Sequence, residues 1–209
     1  MLSLAVQEDI ARAVGAFGLT SGMVIAHGGG FADARRAGRA AAALALDGWT
    51  PRGMPVGRAA DGRPLWPPGT TGSISHAGRV AIAVAGPAGR AIGVDLEIAG
   101  ALPAVDAAEV LDDAEAAGIG LDPWPDRLAT RVWSAKEAAF KAWSTALGGL
   151  NDVDPRQIHV ELVPDVRVTA TGSLADRTRS VGPLIGTSLE RGSWVVSLVV
   201  GGSNPTMVR

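Results

Sequence analysis

Hydrophobic and polar positions along this chain follow two rhythms, one helical and one alternating. Near the start Ile10, Val14 and Phe17 recur at helical spacing with Glu8, Asp9 and Arg12 off the stripe. This predicts an amphipathic helix over 4–17, weakened at its end by Gly15 and Gly18. Residues 32–47 are mostly good helix formers and stop at Gly48, a favoured terminator, so a second helix is expected there with Arg35 and Arg39 on one face. Pro51, Pro55, Pro64, Pro67 and Pro68 make the stretch 50–72 a loop. Three strand-like segments follow: GSISH, RVAIAVAG and AIGVDLEI. The turn PAGR between the last two predicts that they pair antiparallel. A short acidic helix is expected over 106–117. A longer one is expected over 127–147, capped by Asp126 and ended by Gly148 and Gly149. Strands are expected near 158–163, 166–171, 184–189 and 194–200. The order of helix, loop, strands, helix, strands implies an α+β protein of two similar halves, 1–105 and 106–209, although no repeat is visible in the residues.

A length of 209 residues allows one large domain or two small halves. Against 21 acidic residues stand 19 basic ones, a net charge of -2 that lacks the basic excess of a nucleic-acid binder. The absence of cysteine excludes a disulfide scaffold, a thiolate metal site and a cysteine nucleophile. His27, His76 and His159 are too scattered to form a metal cluster. The first residues lack the basic-then-apolar pattern of a secretory leader, and VAIAVAG and WVVSLVV are far short of the roughly 20 residues of a membrane helix. A cytoplasmic protein without a membrane span is expected.

All but two of the 19 basic residues are arginine, and the exceptions, Lys136 and Lys141, lie five apart in one segment. A compact ammonium differs from a guanidinium fork in hydration, geometry and pKa, so a lysine-specific role competes here with chance placement on a solvated face. In AIGVDLE, alternation puts Asp95 and Glu97 on one face, roughly 6 to 7 Å apart along the strand. Such a pair suits Mg2+, which takes oxygen ligands and combines carboxylates with substrate phosphates, though a polar strand face has the same pattern. In WSAKEAAFKAWSTAL, Trp133, Phe140 and Leu147 recur every seven residues and are expected to face inward. Glu137 and Lys141, four apart, are a third carboxylate with a cationic neighbour or else an ordinary surface pair.

The segment GVDLE, followed some forty residues later by WSAKEAAFK, resembles the twin motif of the 4′-phosphopantetheinyl transferases. GRPLWPPGTTGSISH resembles the upstream CoA-binding segment of the larger, monomeric type that activates peptide, polyketide and siderophore synthetases. The similarity runs from about residue 31 to 150. It implies a pseudo-two-fold α+β fold with CoA and metal in the cleft between the halves. It also implies an Mg2+-dependent transfer of phosphopantetheine from CoA to a serine of an apo acyl or peptidyl carrier protein, with 3′,5′-ADP released and Mn2+ as an alternative metal. By the same resemblance Asp95, Glu97 and Glu137 would hold the metal and Glu137 would help remove the serine proton. Lys141 would join Glu137 as a catalytic residue and contact a CoA phosphate, Lys136 would contact CoA, Ser75 and His76 would approach its 3′-phosphate with Arg39, and Gly62, Arg63 and Pro64 would line its adenosine. His27 and His159 match nothing and are expected to be structural, as His76 would be without its motif.

The chain departs from the family pattern at three basic positions. A second arginine expected four residues after Arg39 is Ala43, a basic residue expected near the helix start falls on Phe31, and Asp61 stands where relatives often carry a basic side chain. Arg35 and Arg36 are the available substitutes. The rival readings are a catalytically silent CoA-binding relative and an Mg2+-dependent hydrolase of the CoA pyrophosphate.

Overall fold

In the computed structural model, which describes residues 3–26, 30–51, 53–163 and 165–202 but not the side chains of Phe31 and Ala32, the apolar stripes become two antiparallel sheets, each carrying a long helix. His27 lies outside the described residues. Helix α1 (Leu4–Ala16) starts at Ser3, whose hydroxyl accepts the Val6 N–H, and buries Ile10 and Val14. Then come β1 (Thr20–Ile25), α2 (Phe31–Ala45), the two-residue strands β2 (Gly57–Arg58) and β3 (Pro64–Leu65), β4 (Thr70–Ala77), β5 (Val80–Pro87) and β6 (Ala91–Ile98). The expected acidic helix is split into a 3-10 turn at Ala107–Glu109 and α3 (Asp113–Ile119). The long helix is α4 (Pro125–Ala146), and the remainder is β7 (Ile158–Glu161), β8 (Val166–Ala170), α5 (Gly172–Thr178), β9 (Leu184–Arg191) and β10 (Trp194–Gly201).

The first sheet has the order β1-β5-β4 and the second β6-β10-β9-β8-β7. The expected pairing of β5 with β6 is therefore not formed. Both edges of β5 are taken by β1 and β4, and β6 instead joins β10, with Asp95 opposite Ser197 and Glu97 opposite Val195. A strand that the division at residue 105 gives to the first half thus opens the second sheet.

Each long helix lies close on its sheet because the strand offers a glycine at the crossing. A Cβ on Gly22 would sit 2.1 Å from the Ala41 carbonyl oxygen in α2, and one on Gly93 would sit 1.8 Å from the Ala138 carbonyl oxygen in α4. Three apolar clusters fill the layers. Trp143, Val168, Leu174 and Leu184 pack under α4; Ile10, Ile82, Val94, Leu96 and Leu198 lie between α1 and the sheets; Ala37, Ala41 and Ala45 face β5. The expected heptad on α4 is only half-buried, and Trp143, which it omits, is the fully buried aromatic. Asp126 does not cap α4. Trp124 occupies the cap position with Pro125 after it, and the Asp126 carboxylate accepts the Ala104 N–H at 2.7 Å. Among the described residues, no helix is long and apolar enough to cross a membrane.

Candidate active site

Gly93 decides where the site can form. With no side chain there, α4 settles directly on β6, so Glu137 and Lys141, on either side of Ala138, face Asp95 and Glu97 two and four residues along the strand. Lys141 Nζ lies 2.5 Å from Asp95 Oδ1. The same oxygen accepts the Ser75 hydroxyl from β4 at 2.9 Å. Ser75 Oγ in turn accepts Lys141 Nζ at 3.2 Å and the Leu96 N–H at 3.3 Å. Asp95 is 3% exposed, and among the described residues its Oδ2 is buried with no hydrogen-bond partner.

The electrostatics follow from three carboxylates sharing one ammonium. Burial, and then Asp95, push the Glu97 carboxyl up to about 7, with Glu137 adding to the rise and Lys141 opposing it. Burial also raises Glu137, again with Asp95 adding and Lys141 opposing. A group of oxygen donors with surplus negative charge and an unpartnered buried oxygen is the donor set of a hard divalent cation, and Asp95, Glu97 and Glu137 could hold one. Among the described residues a tighter grouping exists elsewhere: Asp112, Glu115 and His159 have ligand atoms within 4.8 Å of one another. That grouping is already saturated. Asp112 and Glu115 form a reciprocal cap at the start of α3, Glu115 also accepts the Val160 N–H, and His159 Nδ1 bonds Asp112 at 2.6 Å.

Next to the carboxylates, β4 presents its other face to a cavity of about 440 Å3 lined by Arg35, Arg39, Arg58, Gly62, Pro64 and His76. The sequence expectations divide there. Arg39, Gly62, Pro64 and His76 share this basic hollow. Ser75 does not, because neighbouring residues of a strand point to opposite faces, and its hydroxyl is committed to Asp95 and Lys141. Arg63 turns the other way. Its guanidinium pairs with Asp61 at 2.6 Å and donates to the Gly148 carbonyl at 2.6 Å, so Asp61, one of the unusual positions, holds Arg63 against the end of α4. Ala43 lines a separate hollow near the end of α2.

Lys136, expected at CoA, is 1% exposed and buried beneath α4. Its ammonium pairs with Glu115 at 2.7 Å and donates to the carbonyls of Pro155 at 3.0 Å and Ile158 at 2.5 Å, which uses all three of its donors. These contacts are structural, and Lys136 also lines a cavity that Glu137 and Phe140 share. Sequence reasoning missed Arg58, which sits in a proline-rich loop without periodicity and reaches the hollow only through the β2–β3 hairpin.

A family model described as the 4′-phosphopantetheinyl transferase N-terminal domain matches residues 25–86. A second, described as the 4′-phosphopantetheinyl transferase superfamily, matches residues 91–199. Enterobactin synthase component D from Salmonella austin is 39% identical over 110 residues, covering 52% of this chain and 46% of that protein, so the chain spans about half the length of the curated relative it matches. Among solved structures, holo-acyl-carrier-protein synthase from Neisseria meningitidis aligns at 18% identity with a TM-score of 0.47, over 54% of this chain and 98% of that one. The Chronobacterium ammoniagenes ACPS-CoA complex aligns at 22% identity and 0.46, over 55% and 98%.

Proposed function

The chain belongs to the 4′-phosphopantetheinyl transferase superfamily, and from that membership we propose that it moves phosphopantetheine from CoA to a serine of an apo acyl or peptidyl carrier protein, as a monomer in the cytoplasm. The observation that carries this reading is the adjacency of two unlike surfaces on either side of β4. One is the carboxylate group of Asp95, Glu97 and Glu137 with Lys141, and the other is the hollow of Arg35, Arg39, Arg58 and His76. A substrate with a pyrophosphate next to a phosphorylated ribose needs both.

Arg35, Arg39, Arg58 and His76 bind the 3′-phosphate and adenosine, Arg35 serving where Phe31 offers no charge. Asp95, Glu97 and Glu137 would hold Mg2+, with Mn2+ as a substitute. When bound, the cation neutralises the pyrophosphate and stabilises charge on the departing 3′,5′-ADP. Lys141 exchanges its contact with Asp95 for a phosphate oxygen of CoA. Glu137, made more basic by burial, accepts the proton of the carrier serine directly or through water. The serine oxygen then bonds to the β-phosphorus, and the bond from that phosphorus to the bridging oxygen breaks.

The test is intact-mass measurement after incubation with CoA, Mg2+ and an apo carrier domain. Mass added to the carrier is the expected result. CoA bound but unchanged would identify a silent relative, and CoA cleaved without a carrier would identify a hydrolase. Asp95→Asn, which keeps the shape of a buried side chain, is expected to slow transfer by about 100-fold or more with the fold retained. Transfer close to wild type in that variant would remove Asp95 from the metal set.

A further inference from the structure

We propose that Ser75 is a positioning residue that sets which oxygen of Asp95 is offered to the divalent cation, an inference that rests on the metal reading above. A serine hydroxyl has one proton to give and two lone pairs to fill, and Ser75 spends all three on one spot. It donates to Asp95 Oδ1 at 2.9 Å and accepts Lys141 Nζ at 3.2 Å and the Leu96 N–H at 3.3 Å. The serine is 7% exposed, so water does not compete for these bonds. Both Ser75 and Lys141 act on Oδ1, and Oδ2 remains buried and without a partner among the described residues. A carboxylate fixed by one oxygen cannot rotate freely, so its second oxygen is presented in one direction.

The serine matters most once CoA is bound. If Lys141 moves to a phosphate, the Ser75 hydroxyl is the side-chain anchor left on Oδ1 among the described residues. Ser75 also stands on β4 of the first sheet, whereas Asp95 stands on β6 of the second. The hydroxyl thereby ties the face of β4 opposite the basic hollow to the metal carboxylate, and it serves CoA through Asp95 rather than by touching the 3′-phosphate.

Two affinities separate these roles. Binding of Mn2+ is followed by electron paramagnetic resonance in the presence of CoA, and KM for CoA is measured at saturating Mg2+. Ser75→Ala is expected to weaken Mn2+ binding by about 10- to 100-fold, the range for losing a group that orients a metal ligand. Its KM for CoA at saturating metal should stay within about twofold of wild type, since Ser75 makes no direct contact there. Ser75→Thr, which keeps the hydroxyl, should recover most of the Mn2+ affinity. Unchanged Mn2+ binding in Ser75→Ala, with a CoA affinity penalty that disappears on dephospho-CoA, would overturn the inference and return Ser75 to the 3′-phosphate. A wild type that binds no Mn2+ even with CoA would overturn the metal reading itself, a different result from equal binding by wild type and variant.

Discussion

The two lysines of this chain stand on one helix and do different work. Five residues at 3.6 per turn separate Lys136 and Lys141 by about 140° around α4, so their ammonium groups meet different partners. Lys141 shares the cleft face with Glu137, while Lys136 points under the helix to Glu115 and two carbonyls. An arginine fork does not fit three acceptors around a single nitrogen, which gives a physical reason for lysine at 136 in an arginine-rich chain. Lys136→Met would leave Glu115 charged and buried without its counter-ion. The expected loss is about 3 to 5 kcal/mol in urea unfolding, while the folded fraction keeps its CoA affinity. Unchanged stability with weakened CoA binding would restore the contact with CoA. The motif spacing made Glu137 and Lys141 legible as neighbours on one helix, but not that the Lys141 ammonium pairs with Asp95. It could not separate the roles of 136 and 141, because Glu115 and the Pro155–Ile158 turn reach Lys136 only through the tertiary fold.

At the scale of elements, most helices and strands could be read from periodicity, and their neighbours could not. PAGR between two apolar strands looks like a hairpin, yet β6 finds its partner a hundred residues later, in β10. Strand β1 is not legible in the apolar pattern because its one buried position is Gly22, which contributes no side chain. The glycines are instead legible in the packing, and Gly93 has the larger consequence. An added methyl would meet the Ala138 carbonyl at 1.8 Å, and backbone in the middle of a helix cannot yield locally. Gly93→Ala should therefore lift α4 from β6, at a cost of about 1 to 3 kcal/mol, and displace Glu137 and Lys141 together. Transfer per folded molecule would fall with stability. Gly118→Ala is the control: it lies in α3 with nothing within 4 Å of the new methyl, so it should leave both quantities intact. Full activity in folded Gly93→Ala would show that helix height does not set the site.

At the scale of the whole molecule, the site lies where the two sheets meet, with Ser75 from the first and the carboxylates from the second sheet and its helix. Charge held at that junction acts on the stability of the entire fold. The Glu97 carboxyl rises from 4.5 to about 7 through burial, Asp95 and Glu137, against Lys141, and burial raises Glu137 as well. A raised carboxylate binds more protons folded than unfolded, so the contribution of Glu97 to stability is fully present below pH 4.5, falls as pH increases, and is lost above about 7. The carboxylates of Asp9, Asp61 and Asp154, held below 3.8 chiefly by hydrogen bonds from Arg191, Arg63 and Arg156, act in the opposite sense and only at lower pH. The Glu97 carboxyl acts in the interval from 4.5 to about 7. In metal-free protein the thermal midpoint should decrease across it, and Glu97→Gln should flatten the decrease. Mg2+ should raise the wild-type midpoint more at pH 8 than at pH 5, because a cation binds the ionised group that protons have left. A wild-type profile that runs parallel to that of Glu97→Gln, with an Mg2+ effect independent of pH, would mean that Glu97 is not held among the charges of the junction and is not a ligand.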